Sequence, residues 1–462
     1  MATTFVHDLG RTRPVPAPAN GLPGGRLLAF SAISLPIYAA AMPLNVYLPA
    51  IYAQHYGVPI GVLGLIFLIE KLWGALADPI VGALCDRTRS RFGRRRIWIA
   101  AGAIVTGLSA LPLFFPVFGV TPILLGFTLF GFYLGWSMIQ IPFLAWSGEI
   151  SNDYHERTRV ATYQTVVGSA ALLLILILPT IIDQLRPGDA ALKLASMGGL
   201  LVLSLAVGAV LTLSAFPEPA VPQEGGRRLS LGRTIRLVAG NRLLLRVLGS
   251  DFAVSVGQNI RGVLFVFFVS AYMGAPQWAS GLFLLQFVFG IAAGPIWMQI
   301  GRRLGKHRTA VLGELVQVLI NLGLLLIGAH DLPLLLILTI AQGFAQGSGN
   351  LMLRAMVADV ADQHRLDTGE DRAALFYSVF SISIKAAMAA AVGIALPLVA
   401  WLGFDPASTH NSSAALNGLL LVFALGPAIA HLISAALIHG FPIDANAHAE
   451  IRRALAAREP RL

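Results

Sequence analysis

The chain has 462 residues, 56% of them hydrophobic and only 12% charged, with a mean hydropathy of +0.73. A soluble protein carries about twice that share of charge, so composition excludes an ordinary soluble domain. The formal net charge of +10 raises nucleic-acid binding, but membrane orientation alone explains where the basic residues lie, and no nucleic-acid partner is expected.

In chain order, residues 1–26 carry Pro14, Pro16, Pro18 and Pro23 without an apolar run, and read as a disordered leader. Apolar spans follow at 27–52, 59–85, 97–116, 121–147, 161–183 and 194–216. A stretch at 217–242 holds Pro217, Pro219, Pro222, Gly225 and Gly226 and then five arginines. It reads as a linker in which Ser230 caps an amphipathic surface helix over Leu231–Leu245. A second set of spans covers 243–273, 277–300, 309–329, 332–353, 374–402 and 415–441, and 442–462 is a tail. Each span suits a bilayer of about 30 Å. The expected fold is an all-α membrane protein with twelve transmembrane helices in two six-helix halves, 27–216 and 243–441.

Charge sets the orientation. Of the 33 Lys and Arg, only Arg186 and Lys193 fall in one set of loops, whereas the turn after Asp86 holds Arg87, Arg89, Arg91, Arg94, Arg95 and Arg96. This positive-inside pattern places both termini in the cytoplasm. The halves echo each other. Span two ends in Asp86-Arg87 and leads into Gly93-Arg94-Arg95-Arg96, and span eight ends in Gly301-Arg302-Arg303 and leads into Gly305-Lys306. Duplicated halves with substrate bound between them near mid-membrane are the plan of the major facilitator superfamily. The arginines of such turns can reach helix C-termini or acids across the seam between halves; the bland alternative is a topology signal only.

Four stretches resemble one family within that superfamily. They are Asp78-Pro79 through Arg96; Gly148-Glu149 through Asp153, Arg157 and Thr158; Ala358-Asp359 through Asp362, Thr368-Gly369-Glu370 and Arg372; and Leu375-Phe376-Tyr377 with Lys385 downstream. Together they are similar to the glycoside–pentoside–hexuronide:cation symporters, the melibiose-permease-like family, which is related to the lysophospholipid symporters of animals. The resemblance implies a twelve-helix, cation-coupled symporter of the bacterial inner membrane, not an enzyme. It implies coupling residues at Asp78, Lys71 and Lys385, and a gating set at Asp86, Arg87, Gly93, Arg94, Arg95, Glu149, Arg157, Asp359, Arg302 and Arg303. The chain also departs from the family. Gly74 replaces the second cation-binding aspartate of helix two, Gln140 and Gln164 stand at the sugar-binding aspartate of helix four and the arginine of helix five, and the helix-one acid falls near Tyr38. Sodium coupling and melibiose-like sugar recognition are both put in question.

Charges inside apolar spans are costly and mark function. Glu70, Gly74 and Asp78 recur every four residues, and Lys71 lies seven before Asp78, so all four share roughly one helix face. One carboxylate suits a proton better than Na⁺, which favours H⁺ coupling through Asp78 with Lys71 and Lys385 as alternating counter-ions; a static ion pair is the alternative. Glu70 is either a gateway acid or the partner of Lys71. Arg261, mid-span and permanently charged, reads either as a clamp for an anionic substrate group or as a structural partner of Glu70 or Asp78. Gln258, Asn259, Gln140, Gln164 and Gln346 are polar candidates for the binding site, and Trp136 and Tyr377 are aromatic ones. The expected substrate is a glycoside or uronate, with a lysophospholipid or other anionic amphiphile as alternative. A membrane enzyme or receptor would need a catalytic constellation or appended domain that the chain does not offer. No cofactor or metal site is expected, Cys85 being the single cysteine. The remaining partner is the bilayer, and the chain is expected to be a monomer.

Overall fold

The computed structural model describes residues 22–116, 119–151, 154–218, 231–370, 372–408 and 410–458. The leader up to residue 21, Asp153, and residues 219–230 of the linker, with its expected Ser230 cap, lie outside these residues. Among the described residues, twelve helices are long and apolar enough to cross a membrane. They are α1 (Ser34–Gln54), α2 (Ile60–Arg87), α3 (Arg96–Phe114), α4 (Pro122–Glu149), α5 (Glu156–Leu185), α6 (Ala190–Ala215), α7 (Arg242–Tyr272), α8 (Pro276–Leu304), α9 (Lys306–Leu326), α10 (Leu332–Thr368), α11 (Leu375–Trp401) and α12 (Ser413–Ile438).

Polar residues start several of them. Thr121, Asp189, Asn241, Asp331 and Ser412 each accept a hydrogen bond from a backbone N–H three residues on, satisfying a donor that the first helical turn leaves free. Three expected boundaries move. The first span is preceded by a separate short helix, Gly24–Ser31. The tenth helix runs well past 353, because its polar extension continues in helix until Gly369 caps it in the left-handed region. The amphipathic helix covers Leu231–Gly240 and stops there, since Asn241 caps α7 instead.

The two halves carry matching irregularities. π-helical turns occur at Pro43–Tyr47 in α1 and at Phe268–Tyr272 in α7. Internal prolines occur at Pro79 in α2 and Pro295 in α8, and at Pro179 in α5 and Pro397 in α11. Each pair lies six helices apart. Prolines persist in membrane helices where neighbours resatisfy the freed backbone. Six crossings also separate α2 from α8, so both basic turns lie at one end of the bundle, as the charge pattern requires.

The hydrophobic core shows how the halves meet. At the end away from the basic turns, one cluster spans both halves and includes Tyr47, Phe67, Phe132, Phe267, Phe268 and Leu396. At the basic end the core splits. One cluster, with Phe30, Phe143 and Trp146, belongs to the N-terminal half, and another, with Met352, Phe376 and Ile438, belongs to the C-terminal half. The bundle is therefore sealed at one end and parted at the other. Gln54 donates to Ser270 at 2.7 Å and Gln184 to the carbonyl of Gln277 at 3.2 Å across the seal. Gly64 lets α2 press on Leu396 and Pro397 of α11, where a Cβ would collide.

Candidate functional site

The spacing of α2 places its polar residues on the side where α4 and α11 pack. Asp78 forms an ion pair with Lys385 of α11 and accepts a hydrogen bond from Ser137 of α4 at 2.6 Å. This ion pair joins the two halves just below the seal. Asp78 is nine residues from the end of α2, about 13 Å from the basic face. Pro79 follows it and removes the N–H that would bond the Ala75 carbonyl.

Lys71 occupies a different microsite from the one expected. It lies 3.3 Å from Glu70 and donates to the Tyr133 hydroxyl of α4 at 3.0 Å, with its ammonium 4.9 Å from the Tyr133 ring centre. Glu70 and Lys71 are both buried. Glu70 is thus the neighbour of Lys71, and Asp78 is held by Lys385 alone of the two lysines. Tyr133 and Ser137 sit one turn apart on α4, so one helix serves both microsites. Ser137 carried no sequence signal, being one small hydroxyl among many.

Gly74 lies between these pairs, and a Cβ there would meet nothing within 4 Å. Packing does not require glycine at this position.

The amide candidates pair among themselves. Asn350 donates to Gln258 at 3.1 Å, joining α10 to α7, and Gln286 of α8 donates to Gln346 at 2.8 Å. Trp136 donates to Gln140 at 2.9 Å, and Gln164 to the Ser147 hydroxyl at 2.6 Å. Asn259 bonds the Ser255 carbonyl of its own helix. Tyr377 is exposed on α11 near the parted end.

Arg261 departs from the structural pairing expected with Glu70 or Asp78. It is 3% exposed, donates to Asn321 of α9 at 2.9 Å and stacks over Phe423 of α12 at 5.1 Å. All three belong to the C-terminal half. Its bonded partners are therefore neither Glu70 nor Asp78, and its side chain is packed inside the half. The cause is helix register. Ile260, Val263 and Leu264 beside it are core residues, and Arg261 shares their buried side.

The gating residues also pair within halves, and not across the seam as expected. Arg95 grips both oxygens of Glu149 at 2.8 and 2.5 Å, and Arg94 adds a third bond at 2.8 Å. Asp86 is 3.7 Å from Arg95. Glu218, which sequence reasoning missed, folds back to accept from the backbone N–H of Arg95 at 3.0 Å. Gly93 makes this turn possible, with φ +101° and Glu218 against its α-carbon. Arg157 donates to the Ser151 carbonyl at 2.7 Å. The second half uses Lys306, which binds Asp359 of α10 at 2.6 and 2.7 Å after a turn at Gly305 with φ +83°. Arg302 and Arg303 lie exposed in the last turn of α8, where cations complement the helix dipole. Like Arg87, they stand at the basic end.

Residues 29–445 match the family described as MFS/sugar transport protein. The chain belongs to that family. It is 22% identical to an isoprimeverose transporter of Lactiplantibacillus pentosus, over 96% of this chain and 95% of the relative. It is 23% identical to a sodium-dependent lysophosphatidylcholine symporter 1-A of Danio rerio, over 82% and 78%. The nucleoside transporter NupG shares the fold, with a TM-score of 0.63 at 13% identity, covering 91% of this chain and 99% of that one. The protein is accordingly a membrane-embedded symporter of the major facilitator type, not an enzyme, and it takes a small-molecule substrate.

Proposed function

We propose that this member of the family is a proton-coupled glycoside symporter of the bacterial inner membrane, working by alternating access. The observation that carries the reading is the Asp78–Lys385 ion pair, the charged link between the halves beneath the seal. Protonation of Asp78 cancels its charge and frees Lys385, which loosens α2 from α11. A sugar hydroxyl then takes the freed ammonium donors, so that proton and solute favour the same rearrangement. Alternating access follows, because the seal and the parted end exchange roles as the halves rock. If the basic turns face the cytoplasm, as the positive-inside rule implies, the described state is open inward.

The choice of H⁺ over Na⁺ rests on ligands. Asp78 and Ser137 supply three side-chain oxygens, already engaged with each other and with Lys385, and Gly74 supplies none, whereas a hard cation needs about six. The choice of a neutral glycoside over a uronate or lysolipid rests on Arg261. With that guanidinium packed inside the C-terminal half, the polar groups left are the amides and two compensated ion pairs, Asp78–Lys385 and Glu70–Lys71. These suit hydroxyl groups better than an anion. The isoprimeverose transporter supports the same class.

Uptake of labelled glycosides into proteoliposomes tests the reading. A pH gradient should drive accumulation, and a Na⁺ gradient at constant pH should not. Asp78→Asn should abolish accumulation yet keep exchange of substrate across the membrane. Saturable Na⁺-driven uptake, or full accumulation by Asp78→Asn, would overturn it.

A further inference from the structure

A second group of titratable side chains lies inside the C-terminal half, away from the pair just described. Asp251 of α7, Glu314 of α9 and His431 of α12 are each no more than 2% exposed. His431 Nδ1 and Glu314 Oε2 are 2.5 Å apart. Val254, three residues from Asp251 on α7, lies against Gly349 as Glu314 does, and His431 Nε2 lies beside Gly257 of the same helix. Gly349 of α10 makes room for Glu314, since a Cβ there would collide with its Oε1.

The polar groups here are left incomplete. Asp251 Oδ2, His431 Nε2 and both amide atoms of Gln317 are buried without a hydrogen-bond partner. Gln317 stands one turn from Glu314 on α9. The other ionisable side chains along the surrounding helices are engaged elsewhere or point out: Arg246, five residues before Asp251 on α7, donates to the Leu437 and His439 carbonyls; Arg261 is held by Asn321; Arg354 of α10 is exposed; and His307 lies two turns back along α9. None of them forms an ion pair with Asp251 among the described residues. With both acids and the imidazole ionised, the group would hold a net negative charge in a dry interior. An unpaired buried carboxylate is costly, and two acids near one another do not both ionise there.

We propose that Asp251, Glu314 and His431 form a second proton-binding site, built wholly inside the C-terminal half and separate from the Asp78–Lys385 pair. Glu314 and His431 share one hydrogen across their short contact. Asp251 carries the exchangeable one, which converts its unpartnered oxygen into a neutral hydroxyl. The site sits behind the wall that faces the seam. Asp251 and Gln258 lie two turns apart on one face of α7, and Gly349 precedes Asn350, which bonds Gln258. Proton occupancy therefore sets how α7, α9, α10 and α12 pack behind that amide pair.

The test is run in an Asp78→Asn background, so that it does not depend on whether Asp78 carries the transported proton. Infrared difference spectroscopy across a pH titration should show a neutral carboxylic-acid band that fades as pH rises. Adding Asp251→Asn should remove that titrating component; an unchanged band would overturn the proposal. Melting of the purified protein gives a second readout. The folded state holds a proton that an unfolded chain releases near neutral pH, so stability should fall as pH rises. Asp251→Asn copies the neutral acid and should keep the neutral-pH melting temperature while flattening the slope. A variant that fails to fold, or melts lower at every pH with the wild-type slope, would show that Asp251 is ionised and would sink the idea. Uphill transport persisting in Asp78→Asn would end the coupling reading and leave this one standing.

Discussion

The two halves share a scaffold and differ in how they use charge. Their π turns, prolines and basic turns recur six helices apart. By the shared proline, Gly294 in α8 is the counterpart of Asp78 in α2. The N-terminal half brings its carboxylate to the seam, where a charge from the other half meets it. The C-terminal half keeps Asp251, Glu314 and Arg261 packed within itself. The gating turns differ in the same sense. Arg95 is buried in a fork on Glu149, whereas Lys306 meets Asp359 with 38% of its side chain exposed. A duplicated fold thus fixes where helices bend and where the basic ends lie. It leaves free which half holds a mobile charge.

The largest expected effect tests the seal that both halves make. Gln54→Cys with Ser270→Cys, placed on a Cys85→Ser background, should cross-link across the halves and arrest transport fully. A reductant should restore it. Cross-linked protein that still accumulates substrate would show that this seam does not open.

The gating turns should differ in stability. Arg95→Ala removes the buried side of a bidentate pair, with Arg94 still bonded to the half-buried Glu149, and should cost about 2–4 kcal/mol. Lys306→Ala takes a part-exposed lysine from the buried Asp359, which keeps His448 at 3.3 Å, and should cost about 1–2 kcal/mol. Denaturation of the two variants checks this, and equal losses would erase the asymmetry.

Arg261→Lys sharpens the comparison further. The ammonium cannot keep both the Asn321 bond and the stacking on Phe423, so stability should fall by about 1–3 kcal/mol. Substrate affinity, measured on the same preparation, should stay within twofold of wild type. A sharp loss of affinity with unchanged melting would return Arg261 to the binding site.

The smallest effect concerns the coupling ion. Gly74→Asp adds a carboxylate in open space one turn from Asp78. It should introduce a modest Na⁺ stimulation of uptake that the wild type lacks. Uptake by the variant that ignores Na⁺ would show that ligand count does not set ion choice.

Composition and charge placement by themselves determined much of this protein. Long apolar runs fix helix number because a bilayer offers no water to unpaired backbone groups. Basic residues fix which turns share an end, and turn motifs with Asp78 and Lys385 fix the family. Helix spacing also placed Asp78 where Lys385 meets it. Only tertiary structure decided the partners. Lys71 bonds Tyr133 and neighbours Glu70 because α4 packs there, Glu218 closes a turn 122 residues before it in the chain, and Arg261 follows the buried side of α7 into the space before Phe423. Spacing along a helix gives a side chain its direction. Whether that direction meets the seam, another helix or an aromatic ring depends on residues far away in sequence, and the register between helices sets that.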